Sequence, residues 1–420
     1  MIKGKKLLVL GGKPIGSIEL VKRAKELGTY VIVTDYLSET ESPAKRYADE
    51  IWNLSTADVV NLVDKCRRSG VDGILTAVHE FNINRMIDLC ELLNLPCYCK
   101  RNTWNYCDSK VAFKQLCVDN EVPVAKKYEV DIKDNNAIDA LPYPIIVKPV
   151  DGSGSRGFKI CHNSQDFKEG YNLAQSFSPT KSVLIEDYIP YDSVIIHYTM
   201  NNGKCYFSGI SDKYSSKFPS TGASVMGLQL FPSRGINEYK SKLDSKVCSM
   251  YEGAGFTDGP IWIEAFFDGK DKFIFNEMGY RFGGSLTNYP VKFFYDVDQL
   301  DLMIHIALGE NSDFVYRNIE PEHRYCILPI HINPGYIDKV EGVSEILKME
   351  EVYAFVPVHL EGDNIQNWGS AQQVFAYLHV TYDTLEELKQ TLVKVLGVLK
   401  AFDSKHENLL FTLFKLDNIC

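Results

Sequence analysis

The first hundred residues alternate short apolar runs with stretches of helical periodicity, and this alternation narrows the fold more than any other feature. Residues 6–10 read as a buried-type strand, 11–16 as a turn, and 17–27 as a helix with Ile18, Val21 and Ala24 on one face. A second strand over 30–34 is closed by Asp35. Further on, 59–69 reads as a helix, 73–77 as a strand, and 82–93 as a helix that stops before Pro96. Such β-α-β alternation requires a parallel sheet, with ligand-facing loops at the strand C-termini.

From about Trp104 the pattern changes. A helix is expected over 109–120, an extended stretch over 143–149 and a glycine-rich loop over 151–157. Strands rich in branched and aromatic residues follow at 183–185, 194–200, 204–210, 261–267 and 273–275. This is a mixed α+β region. Beyond about residue 311, strands at 325–332, 352–360 and 374–380 and an amphipathic helix at 385–399 suggest a small α/β cap without a catalytic motif. A chain of 420 residues exceeds one ordinary core and suits two or three domains.

Several function classes are excluded by composition. The 45 basic and 55 acidic residues leave a net charge of −10, which disfavours a broad nucleic-acid footprint. The basic start followed by Leu7-Leu8-Val9-Leu10 imitates a signal peptide, but Gly11-Gly12-Lys13-Pro14 ends the apolar run. No run approaches the ~20 apolar residues of a membrane span. A cytosolic protein with neither a nucleic-acid nor a membrane partner is therefore expected. The eleven cysteines contain no C-x-x-C pair, which favours buried thiols over disulfides or structural zinc, with Cys420 a terminal thiol.

Three segments carry candidate chemistry. Gly11-Gly12-Lys13-Pro14-Ile15-Gly16, with Asp35 nineteen residues beyond Gly16, superficially meets a dinucleotide fingerprint, although a tight strand-to-helix turn fits it at least as well. The strand Ile145-Ile146-Val147-Lys148-Pro149 runs into Asp151-Gly152-Ser153-Gly154-Ser155-Arg156-Gly157, whose small residues allow backbone N–H groups to cradle phosphate oxygens, with Lys148 and Arg156 adding charge. No Gly-Lys-Ser or Gly-Lys-Thr follows, so it is not a Walker loop. Third, Glu264 and Glu277 lie on two apolar strands separated by the turn Asp268-Gly269-Lys270-Asp271. A hairpin there could bring both acids to one face, where a hard cation would sit between them. Arg281 follows, then Gly283-Gly284-Ser285.

In this order, with Ser109-Lys110 opening a helix and Leu184-Ile185-Glu186-Asp187-Tyr188-Ile189 between, the segments resemble the ATP-grasp superfamily, in the branch of biotin carboxylase, carbamoyl-phosphate synthase and purine-pathway ligases. The resemblance implies α/β and α+β architecture: a Rossmann-like open-sheet domain over 1–105, a two-lobed ATP-grasp domain over 106–310 with a mobile lid near 125–185, and a C-terminal α/β domain over 311–420. It implies that Lys110 and Lys148 bind ATP phosphates beneath a lid loop containing Gly152, Ser153, Gly154, Ser155 and Gly157. Glu186, Asp187, Tyr188 and Ile189 would hold adenine and Asp192 the ribose. Glu264 and Glu277 would bind Mg2+ or Mn2+, and Arg281 would sit on the γ-phosphate or acyl phosphate. One departure stands out, because the family usually reads Glu-x-Asn-x-Arg where this chain has Glu277-Met278-Gly279-Tyr280-Arg281.

The implied chemistry is attack of a carboxylate on the γ-phosphorus, then displacement of phosphate from the acyl phosphate by an amine or similar nucleophile. Lys148, Lys110 and Arg281 would supply charge neutralisation. Glu80, after the 73–77 strand, is a substrate candidate, or simply an acid at a helix start. The stretch Ser211-Asp212-Lys213-Tyr214 could line the acceptor pocket, or be a polar strand end. A bicarbonate-using carboxylase or carbamoyl-phosphate-forming enzyme and a non-catalytic nucleotide-binding protein remain alternatives to a carboxylate–amine ligase. A homodimer is compatible with the resemblance.

Overall fold

The computed structural model describes residues 2–13, 15–151, 157–317 and 322–419. The first sheet is parallel, as the alternation requires. It contains β1 (Lys6–Leu10), β2 (Tyr30–Thr34), β3 (Glu50–Trp52) and β4 (Gly73–Leu75) in the order β3-β2-β1-β4. Between the strands run α1 (Ser17–Glu26) and α2 (Val59–Ser69), and α3 (Glu80–Leu93) follows β4. Ile18, Leu20, Val21 and Ala24 of α1 are buried, so its apolar stripe faces the core. Helix α3 begins two residues before its apolar period does, which places Glu80 in the first turn, where a carboxylate meets the exposed N–H groups.

Two short helices, α4 (Arg101–Asp108) and α5 (Lys110–Asp119), lead out of this sheet. Ser109 separates them, its hydroxyl accepting from the Ala112 N–H as the cap of α5. Helix α4 escapes a reading by periodicity because only Thr103 and Trp104 of its eight residues are buried.

The second sheet is antiparallel, with β5 (Lys127–Tyr128), β6 (Ile145–Pro149), β7 (Lys159–Cys161) and β8 (Val183–Asp187) in the order β5-β8-β6-β7. The helix Ser164–Phe177 covers one face and shares a small separate core with it, including Ile145, Val147, Phe167, Ala174 and Ile185. A core this small, apart from the main one, suits a lobe that can move as a unit.

The third sheet has nine strands. Its order runs β13 (Phe273–Gly279), β12 (Gly259–Phe267), β9 (Asp192–Asn201), β10 (Lys204–Lys217), β11 (Ser224–Phe231) and β14 (Arg324–Ile332). The strands Val374–Tyr382 and Val352–Pro357 complete it, and Leu410–Phe411 pairs beside them on β14. The expected C-terminal strands are thus present, but they continue the central sheet through the β11–β14 pairing instead of forming a sheet of their own. Their inner face, with Leu328, Ile330 and Leu378, does have its own core. Three fully or nearly buried histidines punctuate this sheet: His197 on β9, His331 on β14 and His379 on Val374–Tyr382.

The parallel sheet and the acid-bearing strands share one large core. Arg23 of α1 forks onto Asp301 of the helix Gln299–Ala307 at 2.5 and 2.7 Å, and the Tyr98 hydroxyl donates to the Tyr280 carbonyl at 3.1 Å. No helix among the described residues is long and apolar enough to cross a membrane. The ten described cysteines are free thiols.

Candidate active site

The Gly11 turn is structural. Asp35, which would have to hold a ribose, spends its carboxylate internally: it accepts from the Gly12 N–H at 2.8 Å and the Ser42 hydroxyl at 2.6 Å, and pairs with buried Lys45 at 2.9 Å. The space beside the turn amounts to about 10 Å³ and is roofed by Val356, Pro357 and Val358. No dinucleotide fits there. Pro14 lies outside the described residues.

The large cleft, about 760 Å³, lies between the second sheet and the β9–β13 end of the third, a volume suited to a nucleotide plus a small substrate. The small-sheet wall carries Lys148 on β6, Glu186 and Asp187 on β8, and Tyr188 and Ile189 just beyond. Lys148 Nζ lies 2.9 Å from Glu186 Oε2 and donates to Asn276 Oδ1 at 3.0 Å, spanning the cleft. Lys114 of α5 takes the other Glu186 oxygen. Burial pushes the Glu186 carboxyl up, but the Lys148 and Lys114 charges outweigh it and hold the group below its ordinary value.

Opposite stand the two acids. Glu264 and Glu277 are direct cross-strand partners, so their side chains share a face of the β12–β13 hairpin. A bulge follows Glu264, leaving Asn276 without a partner in the ladder, and this extra residue lets both Asn276 and Glu277 line the cleft. Like charges opposite one another are unfavourable unless cations intervene. Here Lys213 lies 2.9 Å from Glu264, with the Ser193 hydroxyl donating to the same oxygen at 2.7 Å, and Lys110 lies 3.5 Å from Glu277. Burial pushes Glu264 up, whereas Lys213 and Ser193 bring it below the usual carboxylate range. The partner lysine is correspondingly raised: burial lowers it, and Glu264 more than compensates.

Asp192 lines the cleft in an ion pair with Arg234. Asp212 and Tyr214 also line it, whereas Ser211 is buried and accepts from Gln229 at 2.7 Å. Gly152, Ser153, Gly154, Ser155 and Arg156 lie outside the described residues. Gly157 is described, with φ at +74° and Phe177 where a Cβ would be, only 2.5 Å away, so both conformation and space demand glycine.

Arg281 and Glu80 are brought together, but away from the cleft wall. The Arg281 guanidinium pairs with Glu80 at 3.0 Å, donates to the Phe282 carbonyl at 3.0 Å, and rests over the Trp262 ring at 5.0 Å. In this structure it links α3 to the end of β13.

Trp262 also accounts for Gly279. The two are cross-strand partners, and a Cβ at position 279 would fall 2.3–2.5 Å from the indole. Gly279→Asn should therefore lower stability by about 1–3 kcal/mol through overpacking instead of adding a metal ligand, read as the urea midpoint; an unchanged midpoint would mean that the indole swings aside.

Sequence reasoning missed Lys114 and Asn276. Lys114 stands four residues after Lys110, the spacing that stacks two side chains on one helix face, and that was the available signal. Asn276 had none, because its orientation depends on the bulge.

Comparison with known proteins agrees with this geometry. Residues 141–289 match the ATP-grasp domain family. The chain is 24% identical over 214 residues to a formate-dependent phosphoribosylglycinamide formyltransferase of Prochlorococcus marinus, covering 48% of this chain and 53%, about half, of that relative. It is 23% identical over 296 residues to an L-arginine-specific L-amino acid ligase of Bacillus subtilis, covering 69% of this chain and 70% of the relative. The biotin carboxylase domain of the Hydrogenobacter thermophilus 2-oxoglutarate carboxylase, solved with MgADP, ADP and bicarbonate, superposes with a TM-score of 0.78 at 19% identity, over 94% of this chain and 90% of that one.

Proposed function

From a chain that carries an ATP-grasp domain within an ATP-grasp fold, we propose an ATP-dependent ligase that activates a small carboxylate as its acyl phosphate and passes it to an amine, releasing ADP and phosphate. The observation that carries this reading is one cleft that brings together Lys114 and Lys148 around Glu186 and, across it, the cross-strand pair Glu264 and Glu277.

Glu264 and Glu277 are the residues that would hold Mg2+. They present only oxygens, which suits a hard cation, and among the described residues no group of three or more His, Cys, Asp or Glu offers a rival site. Bound there, the ion supplies charge neutralisation on phosphate oxygens. Lys110 and Lys148 hold the phosphates. Asp187, Tyr188 and Ile189 form the adenine edge, and Asp192 the ribose end. Lys213, already beside Glu264, orients the substrate carboxylate so that one of its oxygens attacks the γ-phosphorus and ADP leaves. The amine then attacks the acyl carbon and phosphate departs. Closure of the small-sheet lobe, with Phe158 at its rim, excludes water from the acyl phosphate. Arg281 reaches the reacting groups only if its pairing with Glu80 opens, so it acts on the substrate side.

The test is release of ADP and phosphate with Mg·ATP against pools of amino acids, of small carboxylates and of bicarbonate, with Lys148→Ala as control. Release that depends on an amino-acid or carboxylate pool and is lost in the variant supports the ligase. Release on bicarbonate alone moves the assignment to a carboxylase. Nucleotide binding without turnover in any pool removes the catalytic reading.

A further inference from the structure

Helix α5 sends a second lysine into the cleft. Lys114 lies one turn beyond Lys110 on the same helix face, and its side chain is 10% exposed. Its ammonium pairs with Glu186, itself 1% exposed, and the other oxygen of that carboxylate holds Lys148 at 2.9 Å. Two ammonium groups thus share a single buried carboxylate. Burial first, and then the nearby Lys148 charge, pull the Lys114 ammonium down to about 8, the behaviour of a buried cation short of a counter-charge. On the acid hairpin each carboxylate has its own lysine, Lys213 on Glu264 and Lys110 on Glu277.

We propose that Lys114 binds the polyphosphate of the nucleotide directly, with Glu186 holding Lys114 and Lys148 apart until the nucleotide arrives. The proposal rests on the ATP-binding reading above and adds a residue to it. Within the cluster of Lys114, Lys148 and Glu186 two cations meet one carboxylate, so the charge it lacks is negative, which a phosphate supplies and a neutral adenine ring does not. Glu186 then serves through its side chain as the resting counter-ion, a task separate from any backbone contact to adenine. At rest the two cations divide one carboxylate, and the arriving anion supplies the second counter-charge.

The experiment is calorimetric titration of Mg·ADP and, separately, of adenosine into wild-type protein, Lys114→Met, Glu186→Gln and the double variant. Direct phosphate contact predicts that Lys114→Met weakens Mg·ADP by about tenfold or more, a loss of about 1.4 kcal/mol, with adenosine unaffected. It further predicts that Lys114→Met/Glu186→Gln stays equally weak. If Lys114 merely neutralises Glu186, the double variant, which has neither charge, returns to within about twofold of wild type, and the proposal is overturned. Loss of adenosine binding to the same degree as Mg·ADP overturns it too. The double variant removes the Lys114 and Glu186 charges together and leaves Lys148 on its Asn276 hydrogen bond; if Lys114→Met fails to fold, the double variant alone decides. Wild-type protein that binds no Mg·ADP sinks the nucleotide reading itself, a failure visible before any variant is compared.

Discussion

Glu277→Gln is expected to cut ATP turnover by more than about a hundredfold while leaving the metal-free protein as stable as the wild type, or more so. Both effects follow from the cross-strand pairing of Glu264 with Glu277. In the resting protein two carboxylates oppose each other, a repulsion that Lys213 and Lys110 offset. The amide removes that repulsion while keeping shape and hydrogen-bonding capacity, but it no longer offers a charged ligand to the cation. Activity and stability should therefore move in opposite directions. Glu264→Gln should act on turnover in the same way, and the double variant should fall little further, because in the mechanism proposed above the two acids act as a unit. ADP release at rising Mg2+ and the thermal midpoint without Mg2+ are the two readouts. Turnover within tenfold of wild type at ordinary Mg2+ would remove Glu277 from the site.

The second large effect is on acidification. His197, His331 and His379 are buried in the long sheet, and burial drives their imidazoles down to about 3, about 4 and about 3. Among the described residues His331 has no hydrogen-bond partner on either nitrogen, and it lies between the Phe218 and Phe411 rings at 5.4 and 5.6 Å. His379 has the Tyr325 hydroxyl at 3.0 Å from Nδ1 but nothing at Nε2, and His197 likewise lacks a partner at Nε2. Each is neutral in the fold and takes up a proton on unfolding below about pH 6.5. Their contribution is intact above that value and is lost as pH falls toward 4 and then 3. At pH 5 each costs about 2 kcal/mol and the three together about 6, comparable with the whole margin of an ordinary domain. Urea midpoints should drop steeply between pH 7 and 5, and His331→Leu should remove about a third of the slope. A flat profile over that range would show that these rings find protonated states inside the fold.

The parallel sheet was legible because its strands are uninterrupted apolar runs bounded by turns, a signal that survives without tertiary information. The acidic hairpin was legible from its turn: two apolar strands joined at residues 268–271 could pair and bring Glu264 and Glu277 to one face, and the two are cross-strand partners. What escaped depended on register or on long-range contact. Nothing near Gly279 announces Trp262, seventeen positions earlier, until the two strands are paired. The meeting of Arg281 with Glu80 joins residues 201 positions apart. Glu186 was expected among the residues that hold adenine, and its side chain also organises two lysines, one of them on a helix whose +4 spacing resembles ordinary surface charge. The continuity of the third sheet into the C-terminal residues was hidden as well, since a strand's apolar pattern says which face is covered but not which neighbour it pairs with.

That continuity limits how this chain can be shortened. Any fragment ending before residue 324 strips β14 from β11 and leaves Gln229, Leu230 and Phe231 with unpaired backbone groups along an open edge. It also exposes Leu228 and Leu230, which the C-terminal residues cover. An open edge beside bare leucines is a template for self-association, so a nucleotide-binding piece excised at the end of the matched segment would be an aggregating fragment, and the smallest soluble form of this protein is one that keeps its C-terminal strands.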